Sequence, residues 1–429
     1  MKRFLFAGVC LLISLTGCSF HKAAEDKAEI VVWHWMSDRQ SAFQELAKKY
    51  EAETGIRVRF EVFPHGVYSQ KINAAAAAKD LPELFGILGD KKLFSSFIKA
   101  GLVDDLTFYM NENNHRWKNS FIDISLAFNT FDKGNSYGVP PGIYAVPIDT
   151  MGIQFLYNKS LLAKIGVSPD SPPSNWEDFI KDAKLAVDKL GVSGFVCGWG
   201  ENWLIYCLAT DYAFNIMGQD KFFATLRGEV PYTDHDWIKV FSLFEEMRDS
   251  GILAPGIITM NNKEAEQIFA SGRSLFSFNG SWGVNTYKQM NPSLRYSVMP
   301  PPQAGRDYPV KIWAGAGSSF VVSRLSSRHY EAIRFLKWLT EKDQQVFLVE
   351  KTRNLPSVKG CDSKVSVSMK QFLKNSKYFT HPNLWPLNED SRVVEAINIG
   401  IEKIIIGEKT PQETAVDVDK VKQLRMERK

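Results

Sequence analysis

The stretch from Glu29 to Val62 constrains the fold more than any other part of the chain. Ile30, Val31, Val32 and Trp33 form an unbroken apolar run of the length of a buried strand. A helix follows from Ser37 or Asp38, with Phe43, Leu46, Ala47 and Tyr50 at helical spacing and Gly55 placed to end it. Ile56, Val58, Phe60 and Val62 then alternate with Arg57, Arg59 and Glu61, the period of a second strand. A strand, a helix and a strand in so short a span make a βαβ unit, whose strands lie parallel through a right-handed crossover. The fold class is α/β.

Similar patterns continue. Tyr68 to Lys79 reads as a helix carrying five alanines, Ala74 to Ala78. Leu84 to Leu88 is a third strand, and a helix from about Asp90 to Ala100 closes at Gly101. Asn111 to Asn135 is polar with aromatic interruptions and is expected to wrap the surface. In Tyr144 to Lys159, Pro147 breaks an extended run because it cannot donate to a central ladder, and Phe155 to Tyr157 resumes it. Either this is one bulged strand or it is a connector between two lobes.

Beyond it, Ser174-Asn-Trp-Glu177 is a capping box opening a helix through Leu190. Further helices are expected around Trp237 to Met247 and Lys263 to Ala270, with strands at Ser274 to Asn279 and Tyr296 to Met299. Pro300-Pro-Pro302 forces an extended segment, a second candidate connector. Ser318 to Ser323 reads as a strand, Arg328 to Leu339 as a helix, and the C-terminal third as helical. Thr410-Pro-Gln-Glu413 caps the last helix.

At the N-terminus, Lys2 and Arg3 precede the apolar run Phe4 to Leu15, too short to span a bilayer as a mature helix. This is the layout of a secretory signal peptide. It ends in Leu15-Thr-Gly-Cys18, which resembles the lipobox of bacterial lipoproteins. That resemblance implies removal of residues 1–17, acyl chains on Cys18, a polar tether over 18–27, and an extracytoplasmic, membrane-anchored protein. Cys197, Cys207 and Cys361 remain. The spacing of the first two allows a short disulfide loop, and buried free thiols serve equally. A net charge of +4 with both signs mixed marks no nucleic-acid partner.

No HExxH, P-loop or GxSxG is present, no two histidines sit at metal-ligand spacing, and no cofactor is implied. His34, between Trp33 and Trp35, points to the opposite face of its strand and reads as packed or solvated. The distinctive feature is aromatics beside turn residues: Trp33 and Trp35, Gly198-Trp-Gly-Glu-Asn-Trp203, Asn279-Gly-Ser-Trp282 and Trp313-Ala-Gly-Ala-Gly317. Open α/β sheets bind ligands beyond the carboxyl ends of their strands. Aromatic faces there suit a sugar, whose C–H face stacks and whose hydroxyls take hydrogen bonds.

Several motifs in order resemble the family 1 extracellular solute-binding proteins of ABC importers, the maltodextrin-binding-like group. They include Val32-Trp-His-Trp35, Thr54-Gly-Ile-Arg-Val58, Leu81-Pro-Glu-Leu-Phe85, Ala100-Gly-Leu-Val-Asp-Asp-Leu106 and Tyr144 to Lys159. Leu275-Phe-Ser-Phe-Asn-Gly-Ser-Trp282, Gly315-Ala-Gly-Ser-Ser319, Phe335-Leu-Lys-Trp-Leu339 and Gly407-Glu-Lys-Thr-Pro411 complete the series. Phe131 to Gly142 departs from the pattern. The resemblance implies a two-lobe, periplasmic-binding-protein-like fold of class II type, with a ligand cleft between lobes joined by a multi-segment hinge. It places crossings near Asp149 to Met151, near Met299 and between Leu339 and Glu350, and turns the break at Pro147 into the first hinge strand. Lobe 1 would span 28–149 plus 300–345, and lobe 2 150–299 plus 346–429.

Carried onto this chain, the resemblance implies ligand contacts at Trp33, Trp35, Ser37, Gly89, Asp90, Asn279, Gly280, Trp282, Trp313 and Gly315, and at Asn354 in an Asn-Leu-Pro-Ser segment that often approaches the ligand, with Tyr144 and Trp203 less closely matched and Trp385 weaker still. It implies a sugar or oligosaccharide ligand, ABC permease subunits as partners and no chemical step. Two alternatives stand beside it: a surface-anchored glycoside hydrolase, which needs two carboxyl groups across the cleft, and a binding lipoprotein for a non-sugar solute such as a glycerophosphodiester, which needs cationic groups there.

Overall fold

The computed structural model describes residues 29–87, 91–135, 137–361, 364–375 and 389–427. The leader and tether with Cys18, the segment with Gly89 and Asp90, and Trp385 lie outside the described residues.

The βαβ unit forms as its pattern requires. Strand β1 (Glu29–His34) pairs parallel with β2 (Arg57–Val62), from Glu29↔Arg57 to His34↔Val62, across the helix Gln40–Thr54. Gly55 ends that helix in the left-handed conformation at φ 76. Strand β3 (Leu84–Ile87) lies parallel on the other side of β1. Alternation along β1 sends Ile30, Val32 and His34 into one buried layer and Trp33 and Trp35 toward the other.

The stretch expected to wrap the surface is more ordered than its composition suggests. It holds a helix, Thr107–Ser120, and a short one, Asp123–Ala127. The first is broken at Glu112–His115, where Asn113, Asn114 and His115 are left-handed. Trp117 pins its second half by donating from Nε1 to Thr340 Oγ1 at 2.9 Å. A ribbon of β4 (Thr130–Phe131) and β5 (Gly142–Ile143) follows.

The break at Pro147 is a crossing between sheets. Strand β6 (Val146–Pro147) forms the edge of the first sheet, where a proline is tolerated. After Ile148 alone, β7 (Asp149–Asn158) begins the second sheet. Ten residues long, β7 is the spine of that sheet. Strand β8 (Ser193–Val196) lies parallel to β9 (Ser274–Gly280), which is antiparallel to β7. Strand β10 (Tyr296–Met299) flanks the far half of β7, giving the order β10-β7-β9-β8.

The expected crossing near Met299 lies elsewhere. Pro300-Pro-Pro302 removes donors without ending the second lobe. Trp176 N donates to Gln303 O, and the Asn215 side chain accepts from the amides of Ala304 and Gly305, both at 2.8 Å. Strand β11 (Ala314–Ala316) then pairs with the start of β7, and the chain returns at Gly317–Ser318. Strand β12 (Ser319–Val322) completes the first sheet, antiparallel to β3, in the order β2-β1-β3-β12-β6.

The third passage is also displaced from Leu339–Glu350. The helix His329–Leu339 packs on the core beneath the first sheet. In the helix Lys342–Thr352, Leu348 joins that core while Val349 joins the second lobe's. Strand β13 (Leu355–Pro356) pairs with Thr150 and Asp149 of β7. Ser357 to Lys359 turns back to the first lobe, accepting from Ile122 N and donating to Ser120 O. Cys361 still packs there, whereas Val365, Met369 and Phe372 lie in the second lobe. The last passage therefore falls between Cys361 and Val365. Cys197, Cys207 and Cys361 are buried free thiols, so no disulfide loop forms.

Each sheet has a core on both faces, the largest beneath β7, β8 and β9, where Phe155, Phe179, Phe195 and Phe278 meet ring to ring. Gly317 marks the closest approach between crossing strands, since a Cβ there would run into the Asp149 carboxylate. Gly317→Ala is expected to destabilise the protein by about 1–3 kcal/mol in urea denaturation, the usual cost of overpacking. An unchanged midpoint would show that the crossing is not tightly packed.

Candidate functional site

The carboxyl ends of β1 and β3 in one lobe, and of β8 and β9 in the other, meet where the chain crosses between sheets, and the candidate cleft lies there. Its floor is a buried knot of charge. Arg39, at the end of the turn Ser37–Arg39, donates from Nη1 to Asp149 Oδ2 at 2.6 Å and to Ser318 Oγ at 2.8 Å. Asp149 Oδ1 accepts from Ser318 N at 2.6 Å, and Ile148 N donates to Ser318 O. Gln345 joins through Nε2 to Ile148 O, and Asn354 through Nδ2 to Asp38 Oδ2 at 3.4 Å. Arg39, Asp149, Gln345 and Asn354 border a void of only about 10 Å³. Burial pushes the Asp149 carboxyl up to about 6 against the opposing pull of Arg39 and the Ser318 amide.

On the first lobe, Trp33 and Trp35 stand half-buried on one face. Trp33 meets Phe63 edge-on and carries the Lys71 ammonium 4.0 Å from a ring centroid, so one of its faces is covered. Trp35 leans on Tyr68, and a Cβ at Gly86 would come within 2.6 Å of its ring. His34 is buried on the opposite face among Phe43 and Phe60. Its pKa is lowered to about 4 by burial, so the ring is neutral at pH 7. Nδ1 accepts from Met36 N and leaves Nε2 to donate to Gln40 Oε1 at 2.8 Å. Ser37 is exposed at the start of its turn.

On the second lobe three tryptophans gather around the start of β7. Ile153 pairs with Gly280 on one side and donates its amide to Trp313 O on the other. Trp282 and Trp313 therefore flank β7 at one level. The Trp203 ring lies 5.8 Å from that of Trp282, tilted by 48°. Gly280 lets the Trp282 ring fold back over the strand, where a Cβ would collide with it. Gly315 sits in β11 opposite Met151.

Three candidate positions are occupied by the fold itself. Asn279 is buried, donating to Glu266 Oε1 and Tyr287 OH and accepting from Gly280 N. Tyr144 belongs to the first lobe's core, its hydroxyl on Pro140 O and its ring edge-on to Phe131. Asn354 is part of the hinge knot. Arg39, Asp149 and Ser318 were absent from the sequence-derived site. Asp149 was legible as a crossing residue, whereas nothing near Arg39 in the sequence signals its role.

The lobes also touch directly. Asn285 Nδ2 lies 3.5 Å from Asp38 O beside the hinge, and Lys92 Nζ donates to Ser391 Oγ at 3.0 Å. A separate recess of about 680 Å³ opens on the outer face of the first lobe between Tyr109, Trp117 and Lys337, away from the cleft. Among the described residues no cluster of His, Cys, Asp or Glu can hold a metal ion.

A family model described as bacterial extracellular solute-binding protein matches residues 34–346. A binding protein of Brucella abortus (strain 2308) is 26% identical over 363 residues, covering 83% of this chain and 80% of that one. The melibiose/raffinose/stachyose-binding protein MelE of Bacillus subtilis (strain 168) is 24% identical over 373 residues, covering 82% and 80%. A solved structure of a chitin oligosaccharide binding protein superposes with a TM-score of 0.78 at 20% identity, covering 93% of this chain and 98% of that one.

The knot carries a pH signature. An Asp side chain in the unfolded chain titrates near 3.9, and Asp149 in the folded protein titrates at about 6. Between those values the folded state holds a proton that the unfolded state has lost. This contribution is complete below pH ~4 and is lost as the pH rises through ~6, a change of about 3 kcal/mol. Asp149→Asn is expected to remove that slope from urea melts taken at pH 4, 5, 6 and 7. An identical slope in the variant would contradict the assignment.

Proposed function

The chain belongs to the bacterial extracellular solute-binding protein family, and on that premise we propose that it captures a neutral carbohydrate between its lobes for delivery to an ABC permease. One observation carries the choice of ligand: Trp203 and Trp282 pack 5.8 Å apart on one side of β7 with Trp313 on its other side, an aromatic wall that in this reading faces Trp33 and Trp35 of the first lobe. A pyranose offers such a wall its C–H face and leaves its hydroxyls for polar groups at the edges. MelE and the chitin oligosaccharide binding protein, both similar to this chain, are named for sugars.

Capture works by closure. A ligand touching both walls binds the closed form better than the open one, and that difference in affinity shifts the population. In this reading the first lobe comprises 29–147 and 318–361, the second 149–317 and 365–427. The first two of their three passages meet at the Arg39 knot. No bond is made or broken. Asp38 and Asp149, the carboxylates at the cleft floor, are both held by Arg39, which speaks against their acting as the pair a glycoside hydrolase needs. Acyl chains on Cys18 would keep the protein at the outer face of the membrane beside its permease.

A thermal-shift panel of galactosyl-sucrose and chitin oligosaccharides is expected to contain at least one ligand that raises the midpoint, because binding to the native state alone stabilises it. Trp282→Ala is then expected to weaken binding of that ligand by about 1–3 kcal/mol in titration calorimetry. A carbohydrate panel without any shift would sink the sugar reading, and full affinity in the variant would remove Trp282 from the site.

A further inference from the structure

The far pole of the first lobe carries apolar surface that the fold itself does not use. Phe108 is 71% exposed, Tyr330 61% and Leu325 45%. Phe108 and Tyr330 stand in the first turns of two neighbouring helices, Thr107–Ser120 and His329–Leu339. Tyr109 bridges them, 5.5 Å from Phe108 and 6.4 Å from Tyr330 between ring centroids. The His329 ring lies 3.9 Å from that of Tyr330. Around these rings stand Arg324 and Arg328, with Asp104 and Asp105 beside them. The mixture of aromatic rings and long cations is the kind of surface that settles at a bilayer's headgroup level.

The same pole is where the described chain begins. Arg328 donates from Nη1 to the carbonyl of Glu29, the first residue of β1, at 2.7 Å. Asp104 N donates to Val322 O, and Val103 bridges Ser323, so the patch sits where β1 starts and β12 ends. The cleft tryptophans lie at the opposite end of β1. Residues 18–28, eleven in all, reach no more than about 40 Å even if fully extended. A two-lobe protein of about 400 residues has a diameter of ~55 Å. In a chain held at Cys18 by acyl groups, this pole is therefore the part of the described structure closest to the anchor along the chain.

We infer that the pole formed by Phe108, Tyr109, Leu325 and Tyr330 is the face the protein lays on the bilayer to which its own N-terminus is anchored. The inference rests on the anchoring reading proposed above. A permease that senses closure must touch both lobes, and this patch belongs to one lobe only. The contact is a second, weak attachment added to the acyl chains, and it limits tumbling on the tether.

The test uses the mature chain from Cys18, coupled through that thiol to a maleimide lipid in vesicles of phosphatidylcholine and phosphatidylglycerol. Cys197, Cys207 and Cys361 are buried and do not compete. Amide hydrogen exchange in peptides spanning 104–110 and 323–331 is expected to slow at least threefold on vesicles relative to the same protein free in solution. The last helix, Pro411–Met426, is expected to be unaffected. The double variant Phe108→Ser, Tyr330→Ser is expected to lose the slowing while keeping its thermal midpoint, because both side chains are exposed. Unchanged exchange at the pole overturns the proposal, and so does slowing that rises with protein concentration in the absence of lipid, which marks self-association. Mass spectrometry of the N-terminal peptide from bacterial membranes reports the anchor separately. An unmodified Cys18 overturns the anchoring reading and the proposal with it, whereas an acylated Cys18 with unchanged exchange overturns the proposal alone.

Discussion

The 2.6 Å pair between Arg39 and Asp149 is the constraint around which the two lobes are assembled. Asp149 is the first residue of the second sheet, Ser318 the last before β12, and Arg39 belongs to the turn after β1. A single guanidinium thus reaches two of the three passages between lobes. Gln345 and Asn354, from the segment that precedes the third passage, join the knot through Ile148 and Asp38. Such a pair is a weak source of net stability, because removing two ions from water costs about as much as their attraction returns. The rise of the Asp149 pKa to about 6 expresses that balance. What the pair supplies is geometry. Either partner alone would be a buried charge without compensation, so the crossing strands are held in one register.

That register sets the aromatic walls. β7 leaves the knot and within a few residues is bordered by β11 and β9, which place Trp313 and Trp282 on its two sides. The glycines at 280 and 317 are needed for different reasons, one to admit a folded-back indole and the other to admit a carboxylate. Both are close-approach requirements, and neither residue needs a positive φ. The first lobe's wall is prepared in the same way, with Gly86 giving room to Trp35 and Tyr68 binding the carbonyls of Trp33 and Gly86 from beneath. Lys71 covers a face of Trp33, and Tyr68 leans on Trp35.

What could be read from the sequence follows the range of the interaction responsible. The βαβ unit, the Gly55 stop and the cap at Thr410 depend on neighbours within a few residues, and all stand as their patterns indicate. The first crossing was legible because Pro147 interrupts a strand locally. The second was misplaced at Met299 because three prolines are a strong local signal, whereas Gly317 matters only through Asp149, far away in sequence. Asn279 shows the same limit inside the candidate site. Beside Trp282 it has the composition of a ligand residue, yet Glu266 and Tyr287 occupy its amide, and neither partner is announced by the motif. Tyr144 followed the extended run into a core for the same reason.

The arrangement separates rigidity from motion in a way that suits a two-lobe binder. Each lobe has its own cores on both faces of its sheet, so closure need not deform either one. Between the lobes the backbone links are brief: a single residue at Ile148, and Gly317–Ser318 between β11 and β12. Rotation must therefore be absorbed at these few residues, which touch or border the Arg39 knot, and at the third passage. Among the contacts beyond it are a long hydrogen bond from Asn285 to Asp38, one from Arg353 to Asn285 at 3.0 Å and an exposed one at Lys92, and hydrogen bonds open to water are each worth little. In the proposed reading closure is inexpensive to reverse, and the free energy that decides between open and closed comes from a ligand spanning the two tryptophan walls.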